Sequence, residues 1–297
     1  MSSTKAGKMY VTFWGTRGSI STPGRGTEKY GGNTPCVYVQ CQDAHIIMDA
    51  GTGIRNLGLD LMEQYEEECL SLHLLLSHTH WDHIQGLPFF QAAYRPGNEL
   101  IIYGSSSKER FLESVLKRQM DTDFFPVELC EMAADVKIRE ISDKKIEIGP
   151  VVVDWQEQIF HPGGSVRYRL MVGEKSVAYA TDVELDLILR GGLKDEEREK
   201  FLQDYLDFIQ DVDLLIGDGQ YSAEEYREKG GWGHTSIPVI VELANRANVK
   251  QLAVFHHDPQ HSDRTLDAFW GEYLTKGDSA ATSVDVIWAR EGMTLAI

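Results

Sequence analysis

The sequence predicts an α/β fold of two sheets with helices on their outer sides, built as a single domain over residues 1–297. Three observations predict it. Strand-like and helix-like stretches alternate almost to the end of the chain. Continuous apolar runs such as Leu72-His73-Leu74-Leu75-Leu76 suit strands buried on both faces. No fixed-period repeat, low-complexity segment or Pro/Gly/Ser linker divides the chain. At roughly 150 residues per domain the length would allow two domains, but layered α/β enzymes of this size often fold as one unit.

Residues 9–14 form a short β-prone run. Residues 36–41 and 46–49 form two more, separated by Gln42-Asp43-Ala44-His45 in a hairpin pattern. Residues 53–65 carry Ile54, Leu57, Leu61 and Met62 at helical spacing. Strands at 72–76 and 100–103 and an amphipathic helix at 108–120 follow. Residues 136–141, 146–155, 168–172 and 177–180 read as four strands in succession. Residues 194–209 are a charged amphipathic helix with Phe201, Leu202, Tyr205 and Phe208 on one face. A strand at 214–216, a helix at 237–247, a strand at 252–255 and a helix at 265–274 come next. β-like runs at 284–288 and 293–297 close the chain.

Composition narrows the function. The formal charge of −17 disfavours partners gripped by counterion release, such as long DNA or RNA, and an anionic membrane surface. With 42% hydrophobic and 25% charged residues the chain is not disordered. No apolar run approaches the roughly 18 residues of a membrane span. The first eight residues lack an apolar signal core, so the expected location is the cytoplasm. Cys36, Cys41, Cys69 and Cys130 show no CxxC spacing and read as reduced, mostly buried thiols.

One segment dominates the chemistry. Ser77-His78-Thr79-His80-Trp81-Asp82-His83 supplies three imidazoles and a carboxylate directly after a buried strand. Alternating His78 and His80 point to one side of a loop, while Asp82 and His83 turn toward a second point. Imidazole with carboxylate is the donor set for zinc, manganese or iron. The alternative is a group of capping and hydrogen-bonding residues at a strand end. His45 and His73 match no motif and read as surface residues.

His-x-His-x-Asp-His after a strand resembles the signature of the metallo-β-lactamase fold, a four-layer αββα sandwich with a two-metal site at one edge. Phe160-His161-Pro162-Gly163 resembles the motif giving a third histidine to the first metal. Tyr179-Ala180-Thr181-Asp182 resembles the strand end whose aspartate bridges both metals. Phe255-His256-His257-Asp258-Pro259 resembles the segment that completes the second metal, and the family's spacing selects His256, with His257 as the alternative. Taken singly, His161 reads as a loop histidine and Asp182 as a turn residue; their order along residues 9–265 carries the resemblance. It implies two divalent ions, zinc or alternatively manganese, held by His78, His80, Asp82, His83, His161, Asp182 and His256.

Further residues select a branch, because a fold alone does not fix function. Gly231-Trp232-Gly233-His234-Thr235-Ser236 resembles a segment of the phosphodiesterase branch, which includes the tRNA 3′-processing nucleases. The resemblance implies that His234 donates a proton and that Asp218 orients it. Gly217 stands where that branch has a histidine, implying a roomier wall. His234 read alone is a helix-start residue. The block from Phe13-Trp14-Gly15-Thr16-Arg17-Gly18-Ser19 to Gly31-Gly32-Asn33-Thr34 resembles a bacterial and phage subgroup of small phosphodiesterases. Phage members of it degrade cyclic pyrimidine nucleotides and so blunt the Pycsar defence. In this block glycines would admit a ligand close to the backbone, and Arg17 would meet a phosphate or sit in an internal ion pair.

The resemblance therefore implies a metal-dependent phosphodiesterase that opens 3′,5′-cyclic nucleoside monophosphates to 5′ monophosphates, with Asp82 orienting or deprotonating the attacking water. The alternatives are a tRNA 3′-processing nuclease and a non-catalytic metal-binding sensor. No Lys/Arg-rich insertion appears; basic residues come only in pairs such as Lys117-Arg118 and Lys144-Lys145. The related enzymes suggest a homodimer, with Trp232, Tyr221 and Phe125 as candidate interface aromatics.

Overall fold

The computed structural model describes residues 7–105, 111–142, 145–190, 195–273 and 284–297. Residues 1–6 at the chain start, residues 108–110 and 194 at two expected helix starts, Lys144 of a basic pair, and Leu274 lie outside the described residues. The strands are β1 (Tyr10–Gly15), β2 (Cys36–Cys41), β3 (Ala44–Met48), β4 (Ser71–Leu75), β5 (Glu99–Gly104), β6 (Asp135–Glu140), β7 (Lys145–Ile148), β8 (Val151–Gln158), β9 (Ser165–Val172), β10 (Lys175–Ala180), β11 (Leu214–Asp218), β12 (Gln251–Phe255), β13 (Asp285–Trp288) and β14 (Thr294–Ala296). The helices are α1 (Gly53–Gln64), α2 (Trp81–Ile84), α3 (Leu112–Gln119), α4 (Leu185–Arg190), α5 (Asp195–Ile209), α6 (Ala223–Lys229), α7 (Ile237–Arg246) and α8 (Asp263–Tyr273).

The strands form two sheets, β14-β1-β2-β3-β4-β5-β6 and β13-β12-β11-β10-β9-β8-β7. In the first, β3 to β6 run parallel. In the second, β10 to β13 run parallel and β7 to β10 antiparallel. Alternation along each strand divides the side chains between two faces. Phe13, Val39, Ile46, Met48 and Leu75 meet Val153, Tyr168, Leu170, Ile216 and Phe255 between the sheets. Leu72, Leu74 and Ile102 face outward against Ile54, Leu57 and Leu61 of α1. Leu215, Leu252 and Val254 face outward on the other side, against Ile240, Leu243 and Ala244 of α7. Each such side chain contributes about 1.5–3 kcal/mol by leaving water. The result is the expected four-layer αββα sandwich.

Several expectations change. Residues 146–155 are not one strand: Gly149, at φ +55°, and Pro150 turn the chain so that Ile148 pairs with Val151 across a hairpin. The β2–β3 connection is a two-residue turn with Gln42 at φ +53°. Helices α2, α4 and α6 were not expected, being too short to show a period; α6 starts at a capping box in which Ser222 and Glu225 bond each other's backbone amides. Of the cysteines only Cys36 and Cys41 are buried, whereas Cys69 and Cys130 are exposed, because they lie in connections. His45 is not a surface residue: it is 5% exposed, stacked on Tyr38 and hydrogen-bonded to its hydroxyl at 2.5 Å. His73 is half-buried, stacked on Tyr103. No helix among the described residues is long and apolar enough to cross a membrane.

Candidate active site

Parallel strands bring their carboxyl ends to one edge, the usual place for a site in such sheets. There Asp49 follows β3, Ser77 to His83 follow β4, Asp182 follows β10, Asp218 ends β11 and His256 follows β12. Asp49, Asp182 and His256 adopt left-handed φ of +61°, +55° and +62°. Non-glycine residues there cost about 1–3 kcal/mol each and cluster at functional sites.

The nine expected site residues come together. In a first cluster the ligand atoms of His78, His80 and His161 lie within 4.8 Å of one another. His80 Nδ1 is 3.0 Å from His161 Nε2. In a second cluster, His83 Nε2 and His256 Nε2 are 3.3 and 3.2 Å from Asp82 Oδ2. Asp182 stands between them. Its Oδ1 is 3.8 Å from His78 Nε2, 3.9 Å from His161 Nε2 and 3.4 Å from His256 Nε2. Its Oδ2 is 3.3 Å from His83 Nε2.

The outward nitrogens fix the tautomers. His161 Nδ1 donates to Gly233 O at 2.9 Å, His256 Nδ1 to Gln220 Oε1 at 2.9 Å, and His83 Nδ1 to Asp49 Oδ2 at 2.7 Å. Each Nε2 is thereby turned inward, as in imidazoles that ligate metals. His78 Nε2 is buried with no hydrogen-bond partner. Burial lowers the pKa of His78, His80 and His161, keeping them in the neutral form that binds a metal. Burial works against charge on His83, but Asp182, Asp82 and Asp49 raise its pKa well above normal. Burial would raise Asp82, yet His83 and the His256 hydrogen bond hold it far below the usual range. An orphaned buried lone pair and buried carboxylates among inward imidazoles fit divalent cations.

His234 lies beside both clusters and is hydrogen-bonded outside them. Its Nδ1 is 2.8 Å from Asp218 Oδ2. Asp218 is itself held by the Asp182, Gln220 and Thr235 amides. Burial disfavours the imidazolium, but Asp218 lifts the His234 pKa to about 8.

Two expectations are corrected, those for Gly217 and Tyr221, and two pairs of alternatives, at Arg17 and at His256 and His257, are separated by geometry. Arg17 does not face the cleft and takes its internal alternative instead: it is fully buried, donates to the carbonyls of Gly31, Asp258 and His261, and its Nη2 lies 4.0 Å from Asp263 Oδ1. Gly217 does not widen the site, because a Cβ there would point at Ile240 Cγ1, 2.9 Å away on α7. His257 turns away and donates to Ala289 O, so only His256 faces the cluster. Tyr221 is buried and offers no interface, whereas Trp232 is 66% exposed. Sequence reasoning also missed Asp49, Gln220 and Glu184. Glu184 accepts from the Gly231 and Gly233 amides at 2.6 and 2.9 Å and so holds the loop before His234. Asp49 carried a signal, a carboxylate before Gly51 and Gly53 at the end of a buried strand; the other two had none.

Two stacked mixed sheets with outer helices and a His/Asp cluster at one edge define the metallo-β-lactamase fold. The chain belongs to the β-lactamase superfamily domain family, whose model matches residues 45–257. Ribonuclease Z of Haloarcula marismortui is 20% identical, over 93% of this chain and 97% of its own. The metallo-β-lactamase fold protein YhfI from Bacillus subtilis superposes with TM-score 0.68 at 19% identity, covering 98% of this chain and all of its own. A diphosphatase from the PhnP family gives 0.65 at 18%, covering 98% and 97%. These solved structures establish the fold.

Proposed function

We propose that the chain is a phosphodiesterase that opens small 3′,5′-cyclic nucleoside monophosphates, pyrimidine ones included, to 5′ monophosphates. The reading takes residues 1–297 as one domain. The observation that carries it is His234, within ligand distance of both clusters but with its Nδ1 hydrogen-bonded to Asp218, whose charge raises its pKa to about 8. His78, His80, His161 and Asp182 would hold one divalent ion, and Asp82, His83, His256 and Asp182 a second, zinc or manganese. Such ions supply Lewis acidity, neutralising a phosphodiester and acidifying water. His234 Nδ1 is committed to Asp218, so Nε2 is the donor left for the departing 3′ oxygen. A pKa of about 8 keeps that proton in place at neutral pH. Asp218, held by three amides, keeps the ring from turning. Asp82 orients the attacking water.

The small substrate is supported by charge. Many described lysines are matched by carboxylates: Lys117 by Glu113, Lys137 by Glu99 and Asp135, Lys175 and Lys250 by Asp213, Lys229 by Asp258. A monoanion needs only the local field of the site. The second reading is processing of RNA 3′ ends, favoured by the relatives named Ribonuclease Z. The test is kcat/KM for cyclic CMP, UMP, AMP and GMP against a tRNA precursor and a cyclic dinucleotide, each with zinc and with manganese. Faster cleavage of the precursor transfers the assignment to the second reading.

A further inference from the structure

Residues 16–19 turn sharply beside the second cluster. The Thr16 and Arg17 amides both reach Asn33 O at 2.9 Å. Gly18 N donates to His257 O, and His257 N donates back to Thr16 O, each at 2.9 Å. The turn and the strand end carrying His256 are therefore tied in both directions. Arg17 adds a lock. Its Nε donates to Gly31 O at 2.7 Å, and its Nη1 to Asp258 O at 3.2 Å and His261 O at 2.6 Å. Two of these carbonyls, and Asp263, whose Oδ1 is 4.0 Å from Nη2, belong to the segment that follows His256.

At the tip, two consecutive residues meet two members of the second cluster. A Cβ on Gly18 would sit 2.5 Å from His256 Cε1 and nearer still to Nδ1, so only glycine lets the ring stand where it does. Ser19 takes a left-handed φ of +65°, rare for a non-glycine residue, and its amide donates to Asp82 Oδ2 at 2.7 Å. That oxygen is the one facing both His83 Nε2 and His256 Nε2. An amide on it fixes its position. The first cluster draws its support elsewhere, from Ser77 Oγ on His78 and Gly233 O on His161.

We propose that the turn 16–19 is a positioning element of the second metal pocket alone: Gly18 and Ser19 set where His256 and Asp82 stand, and Arg17 locks them. This rests on the reading that the two clusters hold metal. Zinc alone is the probe, titrated into the full chain against a chelating indicator, with hydrogen exchange of the turn followed at zero, one and two equivalents. Wild type is expected to bind in two steps, with turn protection rising at the second. Gly18→Ala should leave the first step within about twofold and weaken the second by about tenfold or more, the usual size of a supporting-contact effect. Arg17→Met should weaken the same step by a smaller factor. Two unchanged steps in Gly18→Ala, or equal weakening of both with the fold intact by circular dichroism, overturn the proposal. Should Gly18→Ala not fold, the wild-type exchange decides, and a turn indifferent to the second equivalent overturns it. A wild-type chain that takes up no zinc overturns the metal reading itself, and this proposal with it.

Discussion

His234 Nδ1 lies 3.9 Å from Asp182 Oδ1, near enough for a ligand, yet it hydrogen-bonds to Asp218 at 2.8 Å. A nitrogen bonded to a carboxylate outside both clusters suits a proton donor rather than a metal ligand. His234→Ala should therefore keep its metals and lose about 10²–10⁴ in turnover on a natural phosphodiester. On a p-nitrophenyl ester, whose leaving group needs little protonation, the loss should be smaller; equal losses on both would indicate phosphate positioning. A proton-donor role for His234 would also fix a pH dependence. Its pKa of about 8 lies above the ordinary 6.5, so the protonated form dominates at neutral pH and is lost as pH rises through about 8. The pH profile of kcat should fall on that alkaline side. Asp218→Asn removes the stabilising charge while burial still opposes the imidazolium, so the same limb should move to lower pH. A limb that stays put in Asp218→Asn means another group titrates there.

At the scale of elements, the strand ends decide what the site contains, and the helices decide what the strands tolerate. Gly217 illustrates the second point. It ends no wall of the cleft; its missing Cβ lets α7 approach β11. Gly217→Ala should lower stability by about 1–3 kcal/mol through overpacking, with zinc content and kcat unchanged. Chemical denaturation and metal analysis check both halves, and a changed KM would return Gly217 to the cleft. This position also shows where sequence ran out. β2 and β12 were legible because apolar runs with turn signals need no partner to be recognised. The candidate ligands of α2 and its approach were legible because four of them fall within six residues. The pairs that orient them were not: Asp49 with His83, Gln220 with His256 and Glu184 with Gly233 are separated by 34 to 49 residues, and no local pattern joins them. The choice between the two readings of Arg17 was open for the same reason, since its three carbonyl partners and Asp263 are defined only by tertiary contact.

At the scale of the whole molecule, the formal charge of −17 and the exposed indoles of Trp81 and Trp232, each close in sequence to a site histidine, bear on what approaches the cleft. Trp232, two residues before His234, is the more exposed of the two remaining candidate anchors for a homodimer, Phe125 being half-buried; light scattering at micromolar concentration should give twice the chain mass, and Trp232→Ala should shift it toward the monomer. Charge makes a sharper prediction about substrate. A protein that grips RNA through cationic contacts loses affinity steeply with salt, by about 0.7 in log K per log unit of salt for each phosphate neutralised on a single strand. Here the formal charge is −17 and many described lysines are paired with carboxylates, which weakens a cationic grip on a polyanion. A cyclic monoanion drawn in by the local field of metals held in the buried clusters would feel bulk salt weakly, because screening acts over about 10 Å at 0.1 M and less on buried charges. Between about 0.05 and 0.3 M salt, kcat/KM for cyclic CMP should stay within about twofold, whereas turnover of a tRNA precursor should stay flat or rise as repulsion is screened. A steep fall with salt on the precursor would reveal a cationic RNA surface and decide for the 3′-processing reading.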